Sequence, residues 1–186
     1  DQINSTIYDR DNHPVYKVDA GGAVTLLSTN ALGQVWQEVR YATRIDRNLI
    51  TRDSKAADIA ALVKTDVRDI SVRRVFDAAG RPAFSIDGAG YITEYRYDAM
   101  GHLLKKLLYP ASAQIGNSNL ARDIANQATA QASKALVDSY TYTAQGNLLT
   151  HTDALNQTET FTYDALGRKL SWTDQAGQVW DYGYNA

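Results

Sequence analysis

Hydrophobic and polar positions alternate along most of this chain with a period of two. Between Gln157 and Tyr163, Thr158, Thr160 and Thr162 fall on one side while Phe161 and Tyr163 fall on the other. Tyr91, Thr93, Tyr95 and Tyr97 share a side, as do Leu170 and Trp172. Alternation built from β-branched and aromatic residues predicts antiparallel strands. Two stretches break the pattern. From Ser54 to Thr65, Ile59, Leu62 and Val63 share a helical face with Ala56 and Ala60, with Asp53 or Ser54 as the cap. From Leu120 to Val137, Leu120, Ile124, Ala128, Ala132 and Leu136 recur four apart behind Asn119 as the cap. Both predict amphipathic helices inserted between strands.

Between strands the punctuation repeats. Phe76-Asp77-Ala78-Ala79-Gly80, Tyr97-Asp98-Ala99-Met100-Gly101 and Tyr163-Asp164-Ala165-Leu166-Gly167 are three forms of one string. Its fourth turn position recurs as Asn12, Gly22 and Gly33, then Gly80, Gly90 and Gly101, then Gly146, Asn156, Gly167 and Gly177, in steps of 10 and 11. Where glycine is missing, asparagine replaces it, the other residue that tolerates left-handed backbone, so the position is chosen for a positive φ. The first position is Asp9, Asp19, Asn30, Asp77, Asp87, Asp98, Thr143, Asp153, Asp164 or Asp174, a side chain that accepts hydrogen bonds from backbone two residues on. Each string reads as a type I turn closed by a bulge, a common short hairpin loop. About six residues remain for each strand, the usual length.

A longer period overlies this one. Asn12, Gly80 and Gly146 stand 68 and 66 apart, which defines a unit of about 67 residues. Residues 1–75 form a first unit with its helix near 54–65, residues 76–141 a second with its helix near 120–137, and residues 142–186 a third, incomplete unit that stops before its helix. The expected fold is mainly β, a curved antiparallel meander of short strands with two inserted α-helices. A meander with open edges invites edge-to-edge pairing, so self-association, or protection by the helices, is expected.

Composition narrows the functional classes. A net charge of -2 from 19 basic and 21 acidic residues supplies no basic excess for nucleic acid. No apolar run approaches the roughly 18 residues of a membrane helix, and zero Cys removes disulfides and thiol nucleophiles. Twelve Tyr against three Phe is the unusual ratio, and the repeat accounts for much of it.

The strings Tyr163 to Arg168 and Phe76 to Arg81 resemble the RHS or YD repeat, named for its Tyr-Asp pair. Several copies depart from it: Asn12 replaces Gly, Thr143 replaces Asp, and the second turn of each unit lacks the preceding Tyr. The resemblance implies a structural role, as part of a β-shell that encloses a C-terminal toxin domain or presents another domain, in proteins that are secreted or on the cell surface. Carbohydrate binding is the alternative it implies. The family's Asp-Pro self-cleavage signature is missing, so that activity is not carried over.

No residue pattern selects a catalytic, metal or cofactor site. His13 and His102 follow the fourth turn position, a slot filled elsewhere by Arg81, Asn147 and Arg168, and so read as turn-packing residues; His151 has no metal-type spacing. The aspartates are periodic, and neither Asp9 with Asp11 nor Asp87 with Gly88 completes a calcium loop. Gly88-Ala89-Gly90 lacks the Gly-Lys of a phosphate loop. Asn4-Ser5-Thr6 and Asn156-Gln157-Thr158 fit the short glycosylation pattern. Tyr8, Phe76, Tyr97, Tyr142 and Tyr163 stand before turns, where rings pack across strands for ~0.2–1 kcal/mol each. Trp172, Trp180 and Tyr182 are the candidate glycan-stacking rings. The partners expected are neighbouring repeats, an enclosed toxin domain or a glycan, with neither nucleic acid nor membrane insertion.

Overall fold

The structure, a computed structural model, describes residues 4–112 and 120–185. The chain divides into two compact units, residues 1–90 and 91–186. Each is a meander in which every strand pairs antiparallel with the next in sequence.

The first unit holds β1 (Ser5–Tyr8), β2 (Pro14–Val18), β3 (Val24–Thr29), β4 (Val35–Arg40), β5 (Ile70–Phe76) and β6 (Pro82–Ile86), with α1 (Ala56–Leu62) between β4 and β5. The second holds β7 (Ile92–Tyr97), β8 (Leu103–Leu108), α2 (Leu120–Gln131), β9 (Leu136–Tyr142), β10 (Leu148–Thr152), β11 (Thr158–Tyr163), β12 (Lys169–Thr173) and β13 (Val179–Asp181). The mainly β architecture with two inserted helices is therefore as the alternation predicts.

Because strands alternate in direction, the turns of each unit fall on two rims. Turns at 9–12, 30–33 and 77–80 lie on one rim of the first unit; 98–101, 143–146 and 164–167 lie on one rim of the second. This is the Tyr–Asp rim. The other, the helix rim, carries the turns at 19–22 and 87–90 with the α1 connection in the first unit, and the α2 connection with turns at 153–156 and 174–177 in the second. The second turn of each sequence unit lacks a preceding Tyr because it lies on the helix rim, where the residue before the turn faces a different environment: Val18 and Ile86 are each 1% exposed there.

The helices cover apolar residues at that rim. In the first unit Ile59 of α1 is fully buried against a cluster of Ile7, Tyr16, Val18, Val24, Ile45 and Ile50, with Leu62 and Val63 packed at its border. In the second, α2 lies against β7 and buries Ile124 and Ala128, while Ile92 and Leu107 are buried in the strands and Tyr109 just past β8.

Both helices are shorter than the periodicity predicts. α1 begins after Lys55, whose amide donates to the Asp58 carboxylate at 2.8 Å, so an acceptor inside the first turn replaces Asp53 or Ser54 as the cap. Ser54 Oγ instead accepts from the Thr51 amide at 2.9 Å. The helix ends where Val63 turns extended, and Ala60 is exposed, off the buried face. α2 passes into a 3-10 turn over Ala132–Lys134; Leu136 and Val137 then pair with Leu108 and Leu107 of β8. Their fourfold spacing continues the helical pattern, but β8 needs a strand partner for its backbone, and β9 supplies it. Asn119 lies outside the described residues.

The third sequence unit carries the turn that Asp174 and Gly177 predict. After β12, where the earlier units insert a helix, a hairpin turn at 174–177 leads directly to β13. The residues equivalent to buried Val18 and Val24 are Thr152 and Thr158, whose hydroxyls pair at 2.8 Å. Thr141 with Thr150 at 2.6 Å and Thr162 with Ser171 at 2.7 Å extend this hydroxyl face. A helix with an apolar stripe would find no apolar partner on it.

Truncation of Ile59 to Ala should therefore cost about 2–5 kcal/mol, read as a lower urea midpoint with loss of amide protection in β2 and β3.

Candidate functional site

The repeated chemistry of this chain lies in its turns. Within each turn the fourth amide donates to the first carbonyl, as from Gly80 to Asp77 at 3.0 Å, and the first amide donates to the fifth carbonyl, as from Asp77 to Arg81 at 2.8 Å. Asn12, Gly22, Gly33, Gly80, Gly90, Gly101, Gly146, Asn156, Gly167 and Gly177 all have φ between 62° and 97°. The carboxylates of Asp9, Asp19, Asp77, Asp98, Asp153, Asp164 and Asp174 each accept two backbone amides through Oδ1, two and four residues on, at 2.8–2.9 Å. Asn30 does the same at 3.0 Å, and Thr143 accepts the Asn147 amide at 3.2 Å. Asp87 accepts the Ala89 amide at 2.9 Å.

On the Tyr–Asp rim the second carboxylate oxygen is engaged too. Oδ2 of Asp9, Asp77, Asp98 and Asp164 meets His13 Nδ1 at 3.4 Å, Arg81 Nε at 2.8 Å, His102 Nδ1 at 2.9 Å and Arg168 Nε at 2.7 Å. All four carboxyls are held below the usual carboxylate range: Asp9, Asp77 and Asp164 chiefly by the fifth residue's amide, Asp98 chiefly by the His102 side chain.

The fifth side chain has a second task where it is His, Gln or Asn. It reaches the following turn on the same rim. A Cβ placed on Gly33 would lie 3.2 Å from His13, one on Gly80 2.9 Å from Gln34, one on Gly146 2.9 Å from His102, and one on Gly167 3.4 Å from Asn147. Gln34 Nε2 also donates to the Gly80 carbonyl at 2.9 Å.

Two further regularities of this rim escaped the sequence reading. The strand after each turn carries one extra residue opposite the pre-turn step: Val15, Trp36, Ala83, Leu104, Leu149 and Leu170. Each stands three residues after the turn's Gly or Asn and is apolar, a signal present in the sequence; such bulges bend a strand and raise its twist. The pre-turn tyrosine, in turn, ties one strand to another. Tyr142 donates its hydroxyl to the Leu103 carbonyl at 2.9 Å and Tyr163 to Leu148 at 2.8 Å; Tyr184, past the end of β13, donates to Lys169 in the same way at 2.7 Å.

The candidate stacking rings sit together at the last strands. Trp172 and Trp180 face each other across β12 and β13, centroids 4.5 Å apart and planes 21° from parallel. Trp180 is 39% and Tyr182 42% exposed, while Trp172 is partly covered and its buried Nε1 has no hydrogen-bond partner among the described residues. Lys169 Nζ lies 4.7 Å from the Phe161 ring and 5.8 Å from that of Tyr182. His151 stacks on Tyr140 at 4.8 Å with Nδ1 3.6 Å from Glu159. A separate polar network in the second unit has Tyr109 donating to Glu94, which pairs with Arg96 at 2.6 Å; burial pushes the Tyr109 hydroxyl up to about 12. Among the described residues no three His, Asp or Glu side chains form a cluster able to hold a metal.

Comparison with known proteins places this geometry in a class of repeat-built β-meanders. Residues 142–171 match the family model described as RHS repeat. The crystal structure of TcdB2-TccC3 is similar, with a TM-score of 0.62 at 18% identity over 98% of this chain and 9% of that one. That of TcdB2-TccC3-Cdc42 gives 0.62 at 17% identity over 98% and 8%. This chain thus spans under a tenth of the length of those chains. No curated protein matches it. The match to the RHS repeat is confined to residues 142–171, and the likeness of the whole chain to those structures is one of fold.

Two outcomes follow from the turns. Gly177→Ala, with φ +80° and open space around it, should cost about 1 kcal/mol for the left-handed backbone alone. Gly22→Ala, with the same φ and the Ile45 carbonyl 2.1 Å from the new Cβ, should cost at least roughly twice as much in urea unfolding. The depressed carboxyls set the acid side of the stability curve. A carboxyl whose pKa is lower folded than unfolded contributes stability that is present above about pH 4 and is lost as pH falls toward the folded value. Urea midpoints should be flat from about pH 5 upward and fall below it, and Asp164→Asn should flatten that fall, since an amide keeps the Oδ1 acceptor without titrating.

Proposed function

We propose that this chain is a non-catalytic wall segment, two repeat units of about 67 residues and a third, incomplete one, in a β-shell that encloses or presents a toxin or effector domain. The observation that carries this reading is the likeness of 98% of the chain to TcdB2-TccC3 chains more than ten times longer. The side chains with chemical potential support it: the turn carboxylates, His13, His102 and Arg168 are engaged by backbone or neighbouring turns. The proposal includes a secreted or cell-surface location. No helix among the described residues is long and apolar enough to cross a membrane.

The alternative is a glycan-binding module, favoured by the exposure of Trp180 and Tyr182. In it, a sugar would stack on the outer side of the Trp172–Trp180 pair, whose inner faces cover each other. Calorimetric titration with cell-wall polysaccharides, backed by a glycan array, decides between them. A wall segment gives no saturable heat; saturable binding abolished by Trp180→Ala or Tyr182→Ala would replace the wall reading with the glycan one.

A further inference from the structure

We propose that the cleft between the turns at 143–146 and 164–167 is a binding slot for an arginine side chain of a partner polypeptide, with the guanidinium laid on the Tyr163 ring. The neighbouring steps of the rim supply the template. His102, the fifth residue of its turn, stacks on Tyr142 with ring centroids 4.7 Å apart, and Tyr142 donates its hydroxyl to the carbonyl of the next residue, Leu103. Arg168 repeats the arrangement: its guanidinium carbon lies 4.6 Å from the centre of the Tyr184 ring, and Tyr184 donates to the Lys169 carbonyl. Between these two steps stands Asn147. Tyr163 donates to the Leu148 carbonyl at 2.8 Å, so its ring is tied to the backbone as the other two are. Yet among the described residues no ring or cation stacks on it.

Two substitutions empty this step together. The carboxamide of Asn147 is shorter than the imidazole of His102 or the guanidinium of Arg168. Thr143 replaces the aspartate whose Oδ2 holds those groups at 2.9 and 2.7 Å, and its hydroxyl accepts the Asn147 amide at 3.2 Å. What remains is a cleft of about 610 Å3 whose lining includes Thr143, Asn147, Leu149, Phe161, Tyr163 and Asp164. Its chemistry selects a flat cation. Asp164 is the one charged residue of the lining, and Arg168, which pairs with it at 2.7 Å, lies outside that lining. Lys169 already covers the Phe161 ring at 4.7 Å, which leaves Tyr163 as the open aromatic face. A guanidinium stacks on such a face while its N–H groups donate in the ring's plane, and the Thr143 hydroxyl and Asn147 carboxamide supply acceptors. An ammonium lacks the flat face, so arginine is preferred to lysine. Neither the wall reading nor the glycan reading uses this slot.

The test titrates the whole isotopically labelled chain with a capped Gly-Arg-Gly peptide, and with the same peptide carrying citrulline, lysine or histidine in place of arginine. The arginine peptide should give saturable amide shifts centred on residues 143–147 and 163–167. Citrulline, equal in shape but uncharged, should bind about fivefold more weakly, the share of a partly exposed cation–π contact. Filling the slot from within gives the second arm. The double variant Thr143→Asp with Asn147→Arg copies the step built by Asp164 and Arg168, and it should no longer bind the arginine peptide. An absence of saturable shifts, shifts centred away from these two turns, citrulline, lysine or histidine peptides binding as tightly as the arginine peptide, or undiminished binding to the double variant would each overturn the proposal.

Discussion

Everything in this chain depends on one backbone state, the positive φ at the fourth position of each turn. Only there can the chain reverse within four residues and return in register, and only glycine or asparagine enters that region at low cost. The carboxylate at the first position supplies the complementary force. By accepting amides two and four residues on, it bonds groups that a tight turn would otherwise leave without a protein partner. A turn made this way is local, and the same residues close it whether the neighbouring strand is buried or exposed.

What joins one turn to the next is the fifth side chain. Its two contacts, back to its own aspartate and forward to the next glycine, couple a local motif to its neighbour on the rim. This coupling gives glycine a second reason to be there. At Gly177, with φ +80° and open space around it, the backbone alone needs glycine; at Gly146 the His102 ring needs the space as well. The asymmetry between the rims follows. The Tyr–Asp rim is organised by polar contacts between turns and the helix rim by burial under α1 or α2; where the helices cover it, the residue before the turn is Val18 or Ile86 in place of Tyr.

The strands and hairpins were legible because their determinants are local and periodic. A positive φ leaves a visible mark in the choice of Gly or Asn, and a half-buried strand leaves alternation. The helix ends were not legible, because competition with distant strands decides them. Leu136 fits the helical spacing of Leu120, Ile124 and Ala128 as well as any residue, yet pairing with Leu108 claims it. Ala60 was expected on the face of Ile59, but it is exposed while Ile59 is fully buried. Trp172 and Trp180 are candidate glycan-stacking rings in the sequence, and the register of β12 against β13 shows that they stack on each other.

The exceptions in the repeat carry more information than the consensus. Thr152 and Thr158 take the places of a buried Val pair, and where they occur the helix is replaced by a hairpin, so two changes far apart in sequence describe one event: loss of the apolar patch and of the element that covered it.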